Sequence, residues 1–237
     1  MIGSLDALIA ATAVFVFGHF LLSSRPLRAP LVRTLGQGGF LSLYSLAVAA
    51  AFLWMLAAYR AAPAFQVWVP DPVLNWVPIL VMPVAIFLVL AGITTTNPTM
   101  VGGEQRIAGG GPARRAPGII SVTRHPFLWG TTLWALSHLA ANGEAAEMVV
   151  MGGILALSLG GMAHIDERRE AALGADWGPV KLTTSVVPFA AIASGRAKLD
   201  WKGIGWWRPA GALALYAALL RTHEWIAAPA LTRPSGG

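Results

Sequence analysis

The sequence predicts an all-α fold: a polytopic transmembrane helical bundle of about six spans with its N-terminus on the periplasmic side. Three observations carry this expectation. Of the 237 residues, 56% are apolar and only 12% charged, about half the charged share of a soluble domain. Apolar runs recur along the whole chain, several approaching the roughly 20 residues that a crossing helix needs. The basic residues fall mostly into alternate connections between those runs. A water-exposed fold of this length would need many more charges to cover its surface, and a bilayer removes that need.

The first run, Ala7 to Leu22, follows Asp6 and precedes the first basic residues. That order, and the lack of a small-residue cleavage pattern behind it, reads as a retained first span rather than a signal peptide. The second run is Phe40 to Tyr59. The third, Val73 to Ile93, holds Pro78 and Pro83, which membrane helices accommodate when neighbours satisfy the freed carbonyls. The fourth is Pro126 to Ala141 and the fifth Met148 to Ile165. The sixth, Trp206 to Trp225, has an apolar centre from Pro209 to Leu220 and a polar outer turn with Arg221, His223 and Glu224. Leu182 to Ser194 is apolar, short and interrupted by Pro188, as expected of an interfacial or re-entrant segment.

Charge orients these spans. With the N-terminus outside, the connection 23–39 is cytoplasmic and carries Arg25, Arg28 and Arg33. So is 94–125, with Arg106, Arg114, Arg115 and Arg124, and so is 166–208, with Arg168, Arg169, Lys181, Arg196, Lys198, Lys202 and Arg208. Of the 17 basic residues only Arg60, Arg221 and Arg233 remain outside, which follows the positive-inside rule and predicts a multi-pass protein of a bacterial cytoplasmic membrane. The net charge of +6 is therefore an orientation signal with membrane lipid as the partner. The aromatic–basic interleaving of single-strand nucleic-acid binders is absent. With no cysteine, thiolate nucleophiles, disulfides and cysteine-ligated metals are excluded.

Polar groups inside such a chain call for an explanation, because ionisable side chains in hydrocarbon usually face the bundle interior. His19 lies near the end of the first run, and Thr12, Phe15, His19 and Ser23 share a helix face by three-and-four spacing. His125 stands directly before Pro126 at the start of the fourth run, and His138 lies toward its far end. His164 closes the fifth run, continuing a row of Gly152, Ala156 and Gly160 that suits close helix approach. Such histidines can hold haem iron, bind a metal or relay protons, or simply bond a backbone carbonyl near a helix end. The patch Asp166-Glu167-Arg168-Arg169-Glu170 reads either as a salt-bridged exit from the membrane or as a carboxylate partner for Arg124 and His125, in which Glu167 supplies acid–base chemistry. The glycine-rich connection 94–125 contains Asn97-Pro98-Thr99 but no phosphate-loop pattern.

Gly18-His19-Phe20-Leu21-Leu22-Ser23-Ser24-Arg25, Leu43-Tyr44-Ser45, Asn97-Pro98-Thr99, Thr123-Arg124-His125-Pro126-Phe127-Leu128-Trp129-Gly130 and Ser137-His138-Leu139-Ala140-Ala141-Asn142-Gly143 together resemble the NnrU family of bacterial membrane proteins. The resemblance runs from about residue 3 to about residue 190, dividing the chain into a membrane domain, 1–195, and a C-terminal segment, 196–237, with the final span. The family name implies a link to nitrite and nitric oxide metabolism. Its plant and cyanobacterial relatives include 15-cis-zeta-carotene isomerase, a haem b enzyme. That similarity implies haem ligation by His19 and His138, with His125 as a nearby functional residue; His164, at the end of the fifth run, is a further cofactor-side candidate by its position.

A second, more distant similarity is to the core of isoprenylcysteine carboxyl and phospholipid methyltransferases. It rests on Gly118 to Pro126, Asp166 to Arg169, Leu173-Gly174, Trp177 and Val187-Pro188. It implies an S-adenosylmethionine pocket on the Arg124/His125 and Glu167/Glu170 face, although Trp177 and Lys181 stand where that group usually has tyrosines. The leading expectation is a haem-dependent redox or isomerase-type protein acting on a hydrophobic small molecule. The alternatives are a methyltransferase-like enzyme and a non-enzymatic transporter or accessory protein. No inverted repeat speaks for transport.

Overall fold

The computed structural model describes residues 3–100, 103 and 118–231, with side chains described through residue 223. Arg106, Arg114, Arg115, the glycine run 109–111, Glu224 and Arg233, all used above, lie outside these described residues or side chains. Apart from one isolated antiparallel bridge between Gln66 and Glu144, the regular structure among the described residues is helical. In order, α1 is Leu5–Ser23, α2 Arg25–Ala61, α3 Trp76–Thr94, α4 Pro126–Ala141, α5 Ala145–Leu173, α6 Trp177–Thr183, α7 Ala190–Ala193, α8 Trp201–Ile204 and α9 Trp207–Leu231.

Among the described residues, four stretches are long and apolar enough to cross a bilayer: Leu5–Ser23, Arg25–Ala61, Pro72–Thr94 and Ala145–Thr183. Their outer faces confirm the solvent they are built for. Phe17, Leu46 and Leu80 are each about 70% exposed, a placement that is stable against lipid and unfavourable against water. The protein is thus an all-α, multi-pass membrane protein. Helix α4 has 16 residues, a rise of about 24 Å, which is short of the hydrocarbon thickness.

Local chemistry fixes the helix ends. Ser4 caps α1 by accepting from the Ala7 amide, and Asp6 complements the positive end of the helix dipole. At its other end the orphan carbonyls are taken by serine hydroxyls, Ser23 to His19 at 2.5 Å and Ser24 to Leu21 at 2.6 Å. The connection expected at 23–39 is instead helical from Arg25. Pro26 is tolerated there because it sits in the first turn, where its missing N–H would have no partner anyway. The helix breaks once, at Gly36, whose φ of 70° and ψ of 168° suit glycine alone. Asp71 caps the turn Pro72–Asn75 that leads into α3.

The chain forms two compact units, Met1–Pro78 with Ala135–Leu157 and Thr222–Gly237, and Ile79–Trp134 with Ser158–Arg221. The first has a core of Leu8, Ala11, Met55, Ala58, Ala62, Ala146 and Val150. Four alanines among these let α1, α2 and α5 approach closely, and beside them Tyr59 donates to the buried Glu147 carboxylate at 2.6 Å. The expected close-approach row of Gly152, Ala156 and Gly160 does not serve that purpose. Ala156 and Gly160 are exposed and a side chain at Gly152 would meet nothing within 4 Å, whereas one at Gly153 would collide with Thr12. The helix turns its neighbouring face inward.

The second unit is built on Leu88, Ala91, Ile119, Ile120 and Val122. Here α3 and α4 touch at two glycines. A Cβ at Gly92 would lie 2.7 Å from the Phe127 nitrogen, and one at Gly130 would lie 2.6 Å from the Ala85 carbonyl. Arg208 pins α9 to the end of α3, donating to Thr94 Oγ1 at 2.8 Å and the Thr94 carbonyl at 3.0 Å, and to Gly203 and Ile204 carbonyls. Asp200 receives the Gly118 amide at 2.8 Å and the Gly203 amide at 2.9 Å. Those backbone bonds favour its charged form and hold its carboxyl below the usual carboxylate range. Its contribution to stability is therefore complete above the unfolded-state value and is lost as pH falls through the lower folded value. Acidification below about pH 4 is expected to speed hydrogen exchange at the Gly118 and Gly203 amides. In Asp200→Ala that exchange is expected to be fast already at neutral pH and to lose this acid dependence.

Candidate functional site

The most concentrated polar group among the described residues forms where α4 begins. The stretch Val122–His125 lies against 185–189. The Phe189 amide donates to the Val122 carbonyl at 2.8 Å and the Arg124 amide to the Ser185 carbonyl at 3.0 Å. Thr123 Oγ1 and Trp129 Nε1 both donate to the Val186 carbonyl, at 2.7 and 2.8 Å. The bend that returns the chain is Phe189, a non-glycine residue at φ 65°, a strained conformation held by these surrounding bonds. Pro126 then opens α4, and the His125 carbonyl accepts the Trp129 amide at 3.0 Å, so that His125 stands at the helix N-terminus.

This backbone presents Arg124 and His125 to Asp166 of α5. Arg124 Nε reaches Asp166 Oδ2 at 2.8 Å and its Nη2 reaches the same oxygen at 2.5 Å, while His125 Nε2 lies 2.9 Å from Asp166 Oδ1. His125 and Arg124 are buried, at 1% and 8% exposure. The Arg124 fork already balances the Asp166 charge. An ionised carboxylate can only accept, so the imidazole hydrogen is on Nε2, and in the neutral ring Nδ1 is left with a lone pair. Nδ1 is buried and has no hydrogen-bond partner among the described residues. A carboxylate that orients an imidazole and leaves its other nitrogen open is an arrangement suited to proton transfer or to ligation.

Two further groups join the cluster. The Thr99 hydroxyl is shared between Asn97 Oδ1 at 2.7 Å and the Arg124 carbonyl at 2.9 Å, and Asn97 Oδ1 also accepts the Thr99 amide at 2.9 Å. Arg169, one helical turn beyond Asp166 and buried, donates to the Met100 carbonyl at 2.6 Å. Trp177, where a tyrosine was expected for methyl transfer, is fully buried against Val180 and Leu173.

The expected site residues divide accordingly. Arg124 and His125 come together, but Asp166 supplies the carboxylate beside them, and Glu167 is exposed on the next face of α5. His164 is half-buried two residues before Asp166, on a different face of the helix. His19 and His138 belong to the first unit. His19 is half-buried, its Nδ1 2.7 Å from the Phe15 carbonyl, with the Phe15 ring edge-on at 4.6 Å and the Tyr44 ring at 6.0 Å. His138 Nδ1 lies 3.3 Å from Ser137 Oγ, and its ring centroid is 6.5 Å from that of His223. Among the described residues no three His, Asp or Glu side chains converge as a metal site. Asp166 and Asn97 are the residues that sequence reasoning passed over as site members, although both lie in stretches that stood out as unusually polar.

Comparison with known proteins adds to this geometry. A family model described as NnrU protein matches residues 7–230. The chain is similar to a 15-cis-zeta-carotene isomerase, chloroplastic, of Zea mays, 37% identical over 82 residues, and to that of Arabidopsis thaliana, 38% identical over 82 residues. Each match takes in 35% of this chain and 22% of the relative, so the chain spans about a fifth of the curated relatives it matches. No solved structure matches. With the family match extending over nearly the whole chain, this protein belongs to the NnrU family.

Proposed function

We propose that this protein is a membrane-embedded enzyme acting on a hydrophobic small molecule, with a haem b cofactor and isomerase- or redox-type chemistry. The observation that carries the reading is the buried His125 paired with a half-buried Asp166, neutralised by Arg124 and open at Nδ1, inside a chain whose outer faces are apolar helix. The two plant relatives support the isomerase assignment by their printed names. The haem assignment is supported by His19. Its Nδ1–H is held by the Phe15 carbonyl, the second-sphere bond that fixes tautomer and ring orientation in metal-ligating histidines, so its Nε2 carries the lone pair a ligand needs. His138, oriented through Ser137, is the other candidate to hold iron. Bound haem would supply electron transfer or bond isomerisation. Within the second unit, Arg124, His125 and Asp166 form a group suited to holding a proton.

A second reading, an S-adenosylmethionine-dependent methyltransferase-like enzyme, is favoured by one observation. Two of the segments that carry that resemblance, Gly118 to Pro126 and Val187-Pro188, are brought together by the bonds from Thr123 and Phe189. One set of measurements separates the readings. The protein purified with adequate haem supply is expected to show a stoichiometric Soret band that is lost in His19→Ala or His138→Ala. Saturable S-adenosylmethionine binding lost in His125→Ala, without any Soret band, would overturn the haem assignment. Absence of both would move the protein to the transporter or accessory class.

The same reading includes six spans with the N-terminus outside, supported by the basic residues at 23–39 and 166–208. Reporters fused within 94–125 and 166–208 are expected to be cytoplasmic. Both appearing on the far side would reverse the orientation.

A further inference from the structure

The segment that leads into α9 stands at the edge of the membrane. Thr94 is the last residue of the apolar stretch Pro72–Thr94. Arg208 bonds both the hydroxyl and the carbonyl of Thr94, and it also donates to the Gly203 and Ile204 carbonyls. Residues 203–208 are thereby tied near the level where that stretch ends, which is the headgroup zone of a bilayer. Here the chain turns large aromatic rings outward. Trp206 is 83% exposed and Trp201 is 70% exposed, while Ile204 between them is buried. Lys198 and Lys202, on either side of Trp201 in the chain, are exposed as well.

The charge of this segment is unbalanced. Among the described residues neither Lys198 nor Lys202 has an ion-pair partner. Asp200, the carboxylate between them, has its two oxygens engaged by the Gly118 and Gly203 amides. Arg208 is buried, with its guanidinium over the Trp207 ring. Water is a poor neighbour for indole rings this open, and hydrocarbon is a poor neighbour for ammonium groups. The headgroup layer suits both. A zwitterionic headgroup would cover the rings and leave the lysine charge unmatched. An anionic one supplies phosphate oxygens as acceptors together with the opposite charge. We propose that Lys198, Trp201, Lys202 and Trp206 form a binding site for the headgroup of an anionic phospholipid. It does not depend on the haem or methyltransferase reading.

The test uses the full chain, which has no cysteine, labelled with a fluorophore through Ala210→Cys. That position is exposed and lies one helical turn beyond Trp206. The protein is reconstituted in phosphatidylcholine vesicles, and quenching is compared for brominated phosphatidylglycerol and brominated phosphatidylcholine with the same acyl chains. Phosphatidylglycerol is expected to be preferred. Lys198→Gln and Lys202→Gln are each expected to lower that preference about fivefold, from about 1 kcal/mol per basic residue near an anionic surface. Lys202→Arg, which keeps the charge, is expected to retain it. Raising the salt to about 1 M, where the screening length is about 3 Å, is expected to weaken it. Both lysines are exposed, so these variants are expected to fold as the unaltered protein does. Equal quenching by the two lipids, or a preference unchanged when both lysines are replaced by glutamine, overturns the site. Quenching by neither lipid, as when water or another protein covers the segment, overturns it too.

Discussion

Replacing Asp166 by leucine is expected to destabilise the protein by on the order of 3–5 kcal/mol, the range for removing one partner of a buried ion pair. The carboxylate is the shared acceptor for a guanidinium that is 8% exposed and an imidazole that is 1% exposed. Without it, Arg124 keeps its charge in a site with little water and His125 loses the bond that sets its tautomer. Glu167→Leu, at the exposed neighbouring position, is expected to change stability by no more than about 0.5 kcal/mol. Because much of the loss comes from the stranded arginine, the pair Arg124→Met with Asp166→Leu is expected to be more stable than Asp166→Leu alone, a coupling visible in a double-mutant cycle. Denaturant unfolding in a fixed lipid or detergent reads all five proteins: the unaltered chain, Asp166→Leu, Glu167→Leu, Arg124→Met and the double variant. Equal stability of Asp166→Leu and Glu167→Leu would remove Asp166 from its place beside His125.

The second large effect concerns helix approach. Gly130→Val is expected to destabilise by about 1–3 kcal/mol or more, the overpacking range. Its Cβ alone would come within 2.6 Å of the Ala85 carbonyl and 3.0 Å of the Val89 nitrogen. Those are backbone atoms of α3 that can yield only if the helices separate. The same separation would shift the start of α4 and therefore His125, so binding at the site is expected to weaken together with stability. Gly152→Ala is the contrast. It has nothing within 4 Å and lies inside α5, where alanine is intrinsically better than glycine by about 0.5–1 kcal/mol. It is expected to be neutral or stabilising. A Gly152→Ala as damaging as Gly130→Val would mean that the small-residue row, not Gly153, faces the neighbouring helix.

These contrasts show where the sequence was legible. The apolar runs located α1, α3 and α4, and the start of α5, to within a few residues, because an uncharged stretch bounded by polar groups has one low-energy placement relative to a bilayer; α5 itself runs on through the charged stretch to Leu173. Helicity of 25–35 was not legible, since two prolines and three arginines in eleven residues read equally as a connection. Which of Asp166 and Glu167 meets His125 was not legible either. Successive helical residues point about 100° apart, and nothing in the local pattern says which face turns toward Arg124. The buried faces of Met162 and Arg169 answer it, because they lie four before and three after Asp166. Glycine spacing failed for the same reason: Gly152 and Gly153 are equivalent as letters and differ only in what stands opposite.

The amino-acid order by itself determined the solvent of this protein, its helical class, its family and the identity of most of its polar embedded residues. Those follow from composition and from period-free runs of apolar side chains, which need no knowledge of neighbours. The tertiary structure alone decided the pairing of Arg124 and His125 with Asp166, the pinning of 122–125 by 185–189, and the joining of Asn97 to that group through Thr99. Each of these depends on segments tens of residues apart meeting within 3 Å. Chain order does not encode that distance locally, and only the packed helices bring it about.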